Sequence, residues 1–390
     1  MITKLMRTTL SLLTLLTLTA SFATAAPLTA EQELGKLLYF DRYLSLNHNQ
    51  SCASCHDPGA GFADPLDLRL PGIYVTSAGS DTTLFGGRNA PTASYAMYSP
   101  VFFFDTTAGL WTGGQFWDGR AGTLADQAKG PFLNPVEMAM PDMGSVLTAL
   151  TEPRNRNADD YQAGFLAVYG IDLATLNLAD PAAVENAYDM VAQAIGEFEK
   201  SLAFGEFSSK FDYVSAGLAT FEPDEQRGHD LFMGKAMCNL CHVPPLFTDF
   251  TYDNLGIPKS KNDLIKKNPA DLGLAVTVAA LPALPTDPAA APALQEGKFK
   301  VSSLRNIEMT APYGHNGYFA TMLEIVHFYN TRDVSNEWEK PEVPQNVNIT
   351  ELGNLMLTPA EEADIVAFLK TLTDGFGDPL PAPVGIVPTP

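Results

Sequence analysis

The chain has 390 residues, enough for two or three domains at roughly 100 to 200 residues each, and two is the expectation. Its 24 basic residues face 45 acidic ones, a formal charge of −21 that argues against nucleic acid and anionic membranes as partners. Acidity is an ordinary route to solubility, and a basic protein partner is the more specific reading it allows.

Residues 1–26 have the pattern of a secretory signal. Lys4 and Arg7 precede an apolar run from Leu10 to Leu18, and Ala23-Thr24-Ala25 offers a small-x-small cleavage site. The run is shorter than the ~20 apolar residues that span a bilayer, and no other stretch replaces it. Export to a periplasm with cleavage near Ala25 is therefore expected, with a membrane anchor as the alternative. Loss of Lys4 and Arg7 takes the formal charge to −23.

Helical spacing of Leu34, Leu37, Leu38 and Phe40 predicts a first helix over Leu28 to Phe40. It leads into Cys52-Ala53-Ser54-Cys55-His56. From Asp57 to Pro91 the chain is rich in Gly, Pro and Asp and is expected to be loop. The aromatic segment from Ser99 to Gly114 is a candidate partner or access surface. A second amphipathic pattern (Val184, Tyr188, Val191, Ile195, Phe198, Leu202) predicts a helix over Val184 to Leu202 that closes the first domain.

Pro223, with acidic residues beside it, opens a helix over Glu222 to Phe232 that delivers Cys238-Asn239-Leu240-Cys241-His242. Residues 280–296 read as an irregular Pro/Ala loop. Thr358-Pro359-Ala360-Glu361 is a capping-box start for a last helix reaching about Leu372, and 379–390 is a frayed Pro-rich tail.

All four cysteines fall in two identical Cys-x-x-Cys-His frames. Each frame sets two thiols one turn apart, where both can form thioethers with one porphyrin, while the adjacent His reaches the iron. Zinc or a redox disulfide also uses Cys-x-x-Cys, but would leave the following His unexplained twice. Two covalent haems c are expected. The remaining histidines are His48, His229, His315 and His327. None follows the first frame within its own domain, and His48 lies only eight residues before His56, so the first iron is expected to stay open to peroxide or oxygen. The fold class is mainly α, with two cytochrome c-like haem domains and long loops, over 27–205 and 206–378.

These residues resemble the di-haem bacterial cytochrome c peroxidase and MauG family over nearly all of the mature chain. The matching segments are LGKLLYFDRYLS before the first frame, RNAPT at 88–92, QFWDGRA at 115–121, LNPVEM at 133–138 and TAPYGHNGYFAT at 310–321. The resemblance implies that the His56 haem is the peroxide site and that the His242 haem stores or relays electrons. It implies Glu137 as the distal acid, which takes a proton from bound peroxide and returns it to the departing oxygen. Gln127 and Pro131 become its pocket neighbours, and Trp117 the ring between the haems. Asn89, Thr310 and Pro312 match positions that bind calcium between the domains.

Conventional peroxidases place a Met fourteen residues after the His of the TAPYGHNG motif, as sixth ligand of the second haem, whereas MauG places a Tyr. Counting from His315 gives Tyr329, with Met322 two turns earlier on the same helix face as the competitor. A thioether raises the iron potential, whereas a phenolate favours the higher oxidation states. With no distal His to block the first haem, the resemblance to MauG implies activity without prior reduction. One departure is Ala236, where MauG carries a surface Trp.

The expected function is a periplasmic MauG-like oxidoreductase that uses hydrogen peroxide, draws electrons from a donor or a protein substrate, and holds oxidising equivalents on a His/Tyr second haem. The alternative is a conventional cytochrome c peroxidase served by a small cytochrome c or cupredoxin. A pure electron carrier would need both irons six-coordinate. Family members often dimerise, so a homodimer is expected by resemblance alone.

Overall fold

The computed structural model describes residues 27–70 and 72–389, so the expected secretory signal lies outside the described residues. Helix α1 (Ala30–Phe40) starts where Thr29 and Gln32 exchange side-chain and backbone hydrogen bonds, two residues later than Leu28. Helix α2 (Cys52–Cys55) is one turn carrying the first frame. The expected loop that follows holds another short turn, α3 (Pro65–Arg69), capped by the Asp64 carboxylate on the N–H groups of Leu66 and Asp67.

A hairpin of β1 (Phe103–Asp105) and β2 (Leu110–Thr112) precedes α4 (Leu124–Leu133), α5 (Met143–Thr151), α6 (Ala158–Tyr169) and α7 (Pro181–Glu199). Helix α7 runs about three residues earlier than Val184 to Leu202. Asp180 caps it, Pro181 takes its first position, and Leu202–Phe204 form a separate 3-10 turn.

The second half repeats the plan. Helices α8 (Lys210–Ser215) and α9 (Pro223–Met233) lead to the second frame. Strand β3 (Tyr252–Asp253), α10 (Leu274–Ala279), β4 (Phe299–Lys300), α11 (Met322–Thr331) and α12 (Pro359–Lys370) complete it. The Thr358 capping box starts α12 as expected, though the helix stops at Lys370 rather than Leu372. Residues 280–296 hold two short 3-10 turns and no longer element. The two sheets are β1 with β2 and β3 with β4, each antiparallel, so the fold is mainly α.

Each half is built on one close helix crossing. Helix α1 meets α7 at Gly35, where a Cβ would lie 1.8 Å from the Ala194 carbonyl oxygen. Helix α9 meets α12 at Gly228, where it would lie 1.9 Å from that of Asp364. Only glycine permits such an approach. Around the crossings one apolar cluster gathers residues from Leu34 to Phe204 and another from Phe211 to Leu372. Fully buried rings such as Phe165 and Phe368 each contribute on the order of 2–3 kcal/mol, so helix packing dominates over the short strands.

Three clusters stand out where the halves meet. Phe102 stacks on Trp111 at 4.9 Å, and both pack with Tyr252, Leu274 and Val278, while the Trp111 indole donates to the Ala290 carbonyl oxygen. Much of the aromatic surface in 99–114 is thus spent inside the molecule, which leaves Val101, Phe103 and Leu110 exposed. Arg305, fully buried, pairs with Asp212 at 2.6 Å among the rings of Tyr95, Phe207, Phe211 and Phe247. Arg88 bridges Asp118 and Asp271. The tail is not frayed. The Thr389 N–H donates to the Met97 carbonyl oxygen, its hydroxyl to that of Ser99, and Ile386 packs beside Tyr95, Phe207 and Leu246.

Candidate active site

The two frames share one construction. His56 directs Nδ1 at the Phe62 carbonyl oxygen (3.2 Å), and His242 directs Nδ1 at that of Phe247 (2.9 Å). Phe62 and Phe247 both sit at positive φ, 59° and 54°, a conformation costing a bulky residue roughly 1–3 kcal/mol. In each case it turns the carbonyl toward the imidazole. A carbonyl accepts only, so Nδ1 carries the hydrogen and Nε2 keeps its lone pair for a metal. Burial pushes both imidazole pKa values down and keeps the rings neutral.

All four cysteines are free, and burial pushes the thiols of Cys55, Cys238 and Cys241 up to about 12 and that of Cys52 further. Zinc or disulfide exchange needs thiolates, which this environment disfavours, whereas a thioether carries no charge.

Glu137, half-buried, lies near enough to Cys52 and Cys55 for its charge to push both thiols up, and its own carboxyl pKa is pushed up by burial and pulled back by Arg120 and by a hydrogen bond with Asn134. Gln127 and Pro131 are one turn apart on α4, and the Pro131 carbonyl oxygen accepts the N–H of Met138, which ties Glu137 to that helix. Arg120 lies over the Phe116 ring at 3.5 Å and pairs with Asp118. Of the remaining histidines, His48 is exposed and stacked on Tyr43, His229 and His327 lie on α9 and α11, and His315 faces the second frame's cavity.

The second frame opens on a cavity lined by Cys238, Cys241, His242, Met322, Tyr329 and, from the first half, Trp117. Tyr329 and Met322 share that wall, two turns apart on α11. The Tyr329 hydroxyl makes no hydrogen bond to any described residue, and burial pushes its pKa up. Met322 is buried in the second core cluster as well as touching the cavity. Trp117 is fixed at both ends: its indole donates to the Asn89 carbonyl oxygen at 2.8 Å, and its own carbonyl oxygen accepts the Lys300 N–H at 2.8 Å.

Asn89, Thr310 and Pro312 line the same cavity. The Asn89 side-chain NH2 donates to the Asp67 carboxylate (3.1 Å) and to the Val75 carbonyl oxygen (3.3 Å). Both partners are acceptors, which settles the orientation of the amide and turns its oxygen toward the cavity. The carbonyl oxygens of Thr310 and Pro312 accept no hydrogen bond from any described residue.

Residues 29–220 match the family described as di-haem cytochrome c peroxidase. The chain is 39% identical over 369 residues to the methylamine utilization protein MauG of Paracoccus denitrificans, covering 89% of each. It is 31% identical to cytochrome c551 peroxidase of Nitrosomonas europaea, over 87% of this chain and 79% of that one. The solved structure of the diheme peroxidase BthA from Burkholderia thailandensis superposes with a TM-score of 0.77 at 31% identity, covering 94% of this chain and 92% of that one.

The chain belongs to the di-haem cytochrome c peroxidase and MauG family. As a di-haem peroxidase it is an oxidoreductase, and both frames fit the cofactor. Neutral thiols, a neutral imidazole with its Nε2 free, and an apolar surround are what thioether attachment and iron ligation require. Asn89, Thr310 and Pro312 offer that cavity hard, neutral oxygens of the kind calcium takes.

Several groups in this di-haem peroxidase were missed by sequence reasoning. Glu199, the last residue of α7, is buried beside Cys52 and Tyr39, and burial pushes its carboxyl up to about 8. Lys300, half-buried and joined to Trp117 through its backbone N–H, has its pKa brought down to about 7 by desolvation, and its ammonium donates to the Ser99 hydroxyl and the Gly114 carbonyl oxygen. Arg120 and Phe116 lie inside QFWDGRA, whose letters signal the family but not these contacts. No helix among the described residues is long and apolar enough to cross a membrane.

Proposed function

We propose that this chain is an exported, MauG-like di-haem peroxidase that reduces hydrogen peroxide at the His56 site and passes oxidising equivalents by way of Trp117 to the His242 site. From there an external donor protein or a protein substrate is oxidised. The observation that carries this reading is Glu137, half-buried and near enough to Cys52 and Cys55 for its charge to push both thiols up, while His48 is turned outward and stacked on Tyr43.

When bound, haem at the first site supplies the redox-active iron at which the peroxide O–O bond is broken. Glu137 takes the proton from the proximal peroxide oxygen and delivers it to the departing one. Burial raises the proton affinity of the carboxyl, which suits it to accept that proton, and Arg120 and Asn134 act in the opposite direction. Gln127, from the adjacent turn of α4, orients the incoming peroxide, and Pro131 limits the room around it.

At the second site, Tyr329 would hold the haem iron together with His242 in preference to Met322, because its hydroxyl makes no hydrogen bond to any described residue and its ring lines the cavity. Two electrons and two protons convert peroxide to water, and they come in the end from the donor. A calcium ion held by the side-chain oxygen of Asn89 and the carbonyls of Thr310 and Pro312 ties the halves together. The strong acidity suits a basic donor, a small cytochrome c or cupredoxin among them, and the di-haem family also supports a protein substrate.

The test is to add hydrogen peroxide to the fully oxidised holoprotein and follow the Soret and near-infrared absorbance. An immediate change without reductant supports this reading. A change seen only after one-electron reduction supports a conventional peroxidase, and no change in either state supports an electron carrier.

A further inference from the structure

The cavity oxygens of Asn89, Thr310 and Pro312 are all neutral, and a divalent ion held by neutral donors alone binds weakly, because affinity follows the charge count of the site. A carboxylate stands directly behind Asn89. Asp67, on α3, is 1% exposed, and its Oδ2 accepts the Asn89 side-chain NH2 at 3.1 Å. Its Oδ1 is buried and makes no hydrogen bond to any described residue. No lysine or arginine pairs with it among the ion pairs of the described residues. A buried carboxylate without a cation is costly, and an unpaired oxygen on it costs further.

The same place is where the two halves close on each other. The Asn89 N–H donates to the His315 carbonyl oxygen at 2.9 Å. A Cβ on Gly61 would touch Thr310, and one on Gly317 would touch both Val75 and Pro312. Asp67 therefore sits behind a seam whose inner face carries three oxygens that lack a hydrogen-bond donor.

We propose that Asp67 is the charged member of the cation site between the halves. It locks the Asn89 amide with its oxygen toward the ion and supplies the negative charge that the three neutral donors lack. This rests on the calcium reading above, and Asp67 acts as a positioning residue rather than a catalytic one. The role explains why an acid is buried in a loop segment with no arginine or lysine beside it, and why its neighbour Asp64 is spent on capping α3 instead.

The experiment is calorimetric titration of chelator-stripped holoprotein with calcium alone, comparing the unmodified chain, Asp67→Asn, Asp67→Glu and Asn89→Ala. The proposal expects one site in the unmodified chain, calcium affinity lowered roughly ten- to a hundredfold in Asp67→Asn, and most of the affinity kept in Asp67→Glu. Unchanged haem absorbance and circular dichroism show that each variant is folded. Asp67→Asn binding within twofold of the unmodified chain overturns the proposal, as does an equal loss in Asp67→Glu. If Asp67→Asn does not fold, Asp67→Glu alone decides, because weakening as great as that of Asn89→Ala contradicts a role for the charge. An unmodified chain that takes no calcium overturns the calcium reading itself, while Asn89→Ala alone weakening the site overturns only the role of Asp67.

Discussion

The Trp117 indole N–H donates to the Asn89 carbonyl oxygen at 2.8 Å, so the ring on the wall of the second cavity is held by the residue whose side-chain oxygen faces the candidate cation site. One residue thus links the proposed electron route to the seam between the halves.

Trp117→Phe keeps an aromatic ring but leaves the Asn89 carbonyl without its donor, at a cost of roughly 1–3 kcal/mol. We expect donor oxidation to fall at least tenfold while haem content and peroxide binding to the oxidised protein stay unchanged. Stopped-flow comparison of peroxide binding with donor turnover checks this, and equal losses in both would assign Trp117 a structural role only.

Glu137→Gln removes the proton acceptor without changing its shape. The expected loss in kcat/KM for peroxide is roughly 10²–10⁴-fold, with haem spectra unchanged. Because the carboxylate form is the active one, kcat/KM rises with pH through the Glu137 pKa, and burial places that limb above the range of an exposed glutamate. Arg120 lowers this pKa, so Arg120→Leu is expected to move the limb to higher pH. A pH profile that stays in place in Arg120→Leu would separate the two residues.

Tyr329→Met exchanges a phenolate for a thioether and is expected to raise the reduction potential of the second site, whereas Met322→Leu leaves it unchanged. Spectroelectrochemistry of the two variants decides between the candidates. A shift in Met322→Leu and none in Tyr329→Met would reverse the assignment.

Glu199 carries a folded-state pKa of about 8, raised by burial above the 4.5 of an exposed glutamate. The folded state therefore holds its proton longer than the unfolded chain does, and the stability this gives is complete below pH 4.5 and lost as pH rises to 8. Glu199→Gln, which stays neutral, should gain on the unmodified chain across that window by up to a few kcal/mol at pH 8. Denaturant midpoints measured at pH 5 and pH 8 test it, and a constant difference would show that Glu199 does not titrate with folding.

Most of the helical frame was legible in the sequence because its signals are local. The Thr358 box and Pro223 mark helix starts within a residue of where they fall, and the Cys-x-x-Cys-His frames declare their own chemistry. The ends were less legible: α7 begins at Pro181 because Asp180 caps it, a signal outweighed by the apolar period that begins at Val184. The hairpin at 103–112 and the docked tail depend on partners distant in sequence, Ala290 for Trp111 and Met97 for Thr389. Asp67 and Glu199 look like ordinary surface charges in the sequence, and only tertiary packing buries them.

The central claim is a division of labour between an open His56 site and a closed His242 site. Electron paramagnetic resonance of the fully oxidised holoprotein, before any peroxide or reductant is added, tests it most directly. The expected spectrum has one high-spin ferric signal, from the site under Glu137, and one low-spin signal. Two low-spin signals with no high-spin component would contradict the account.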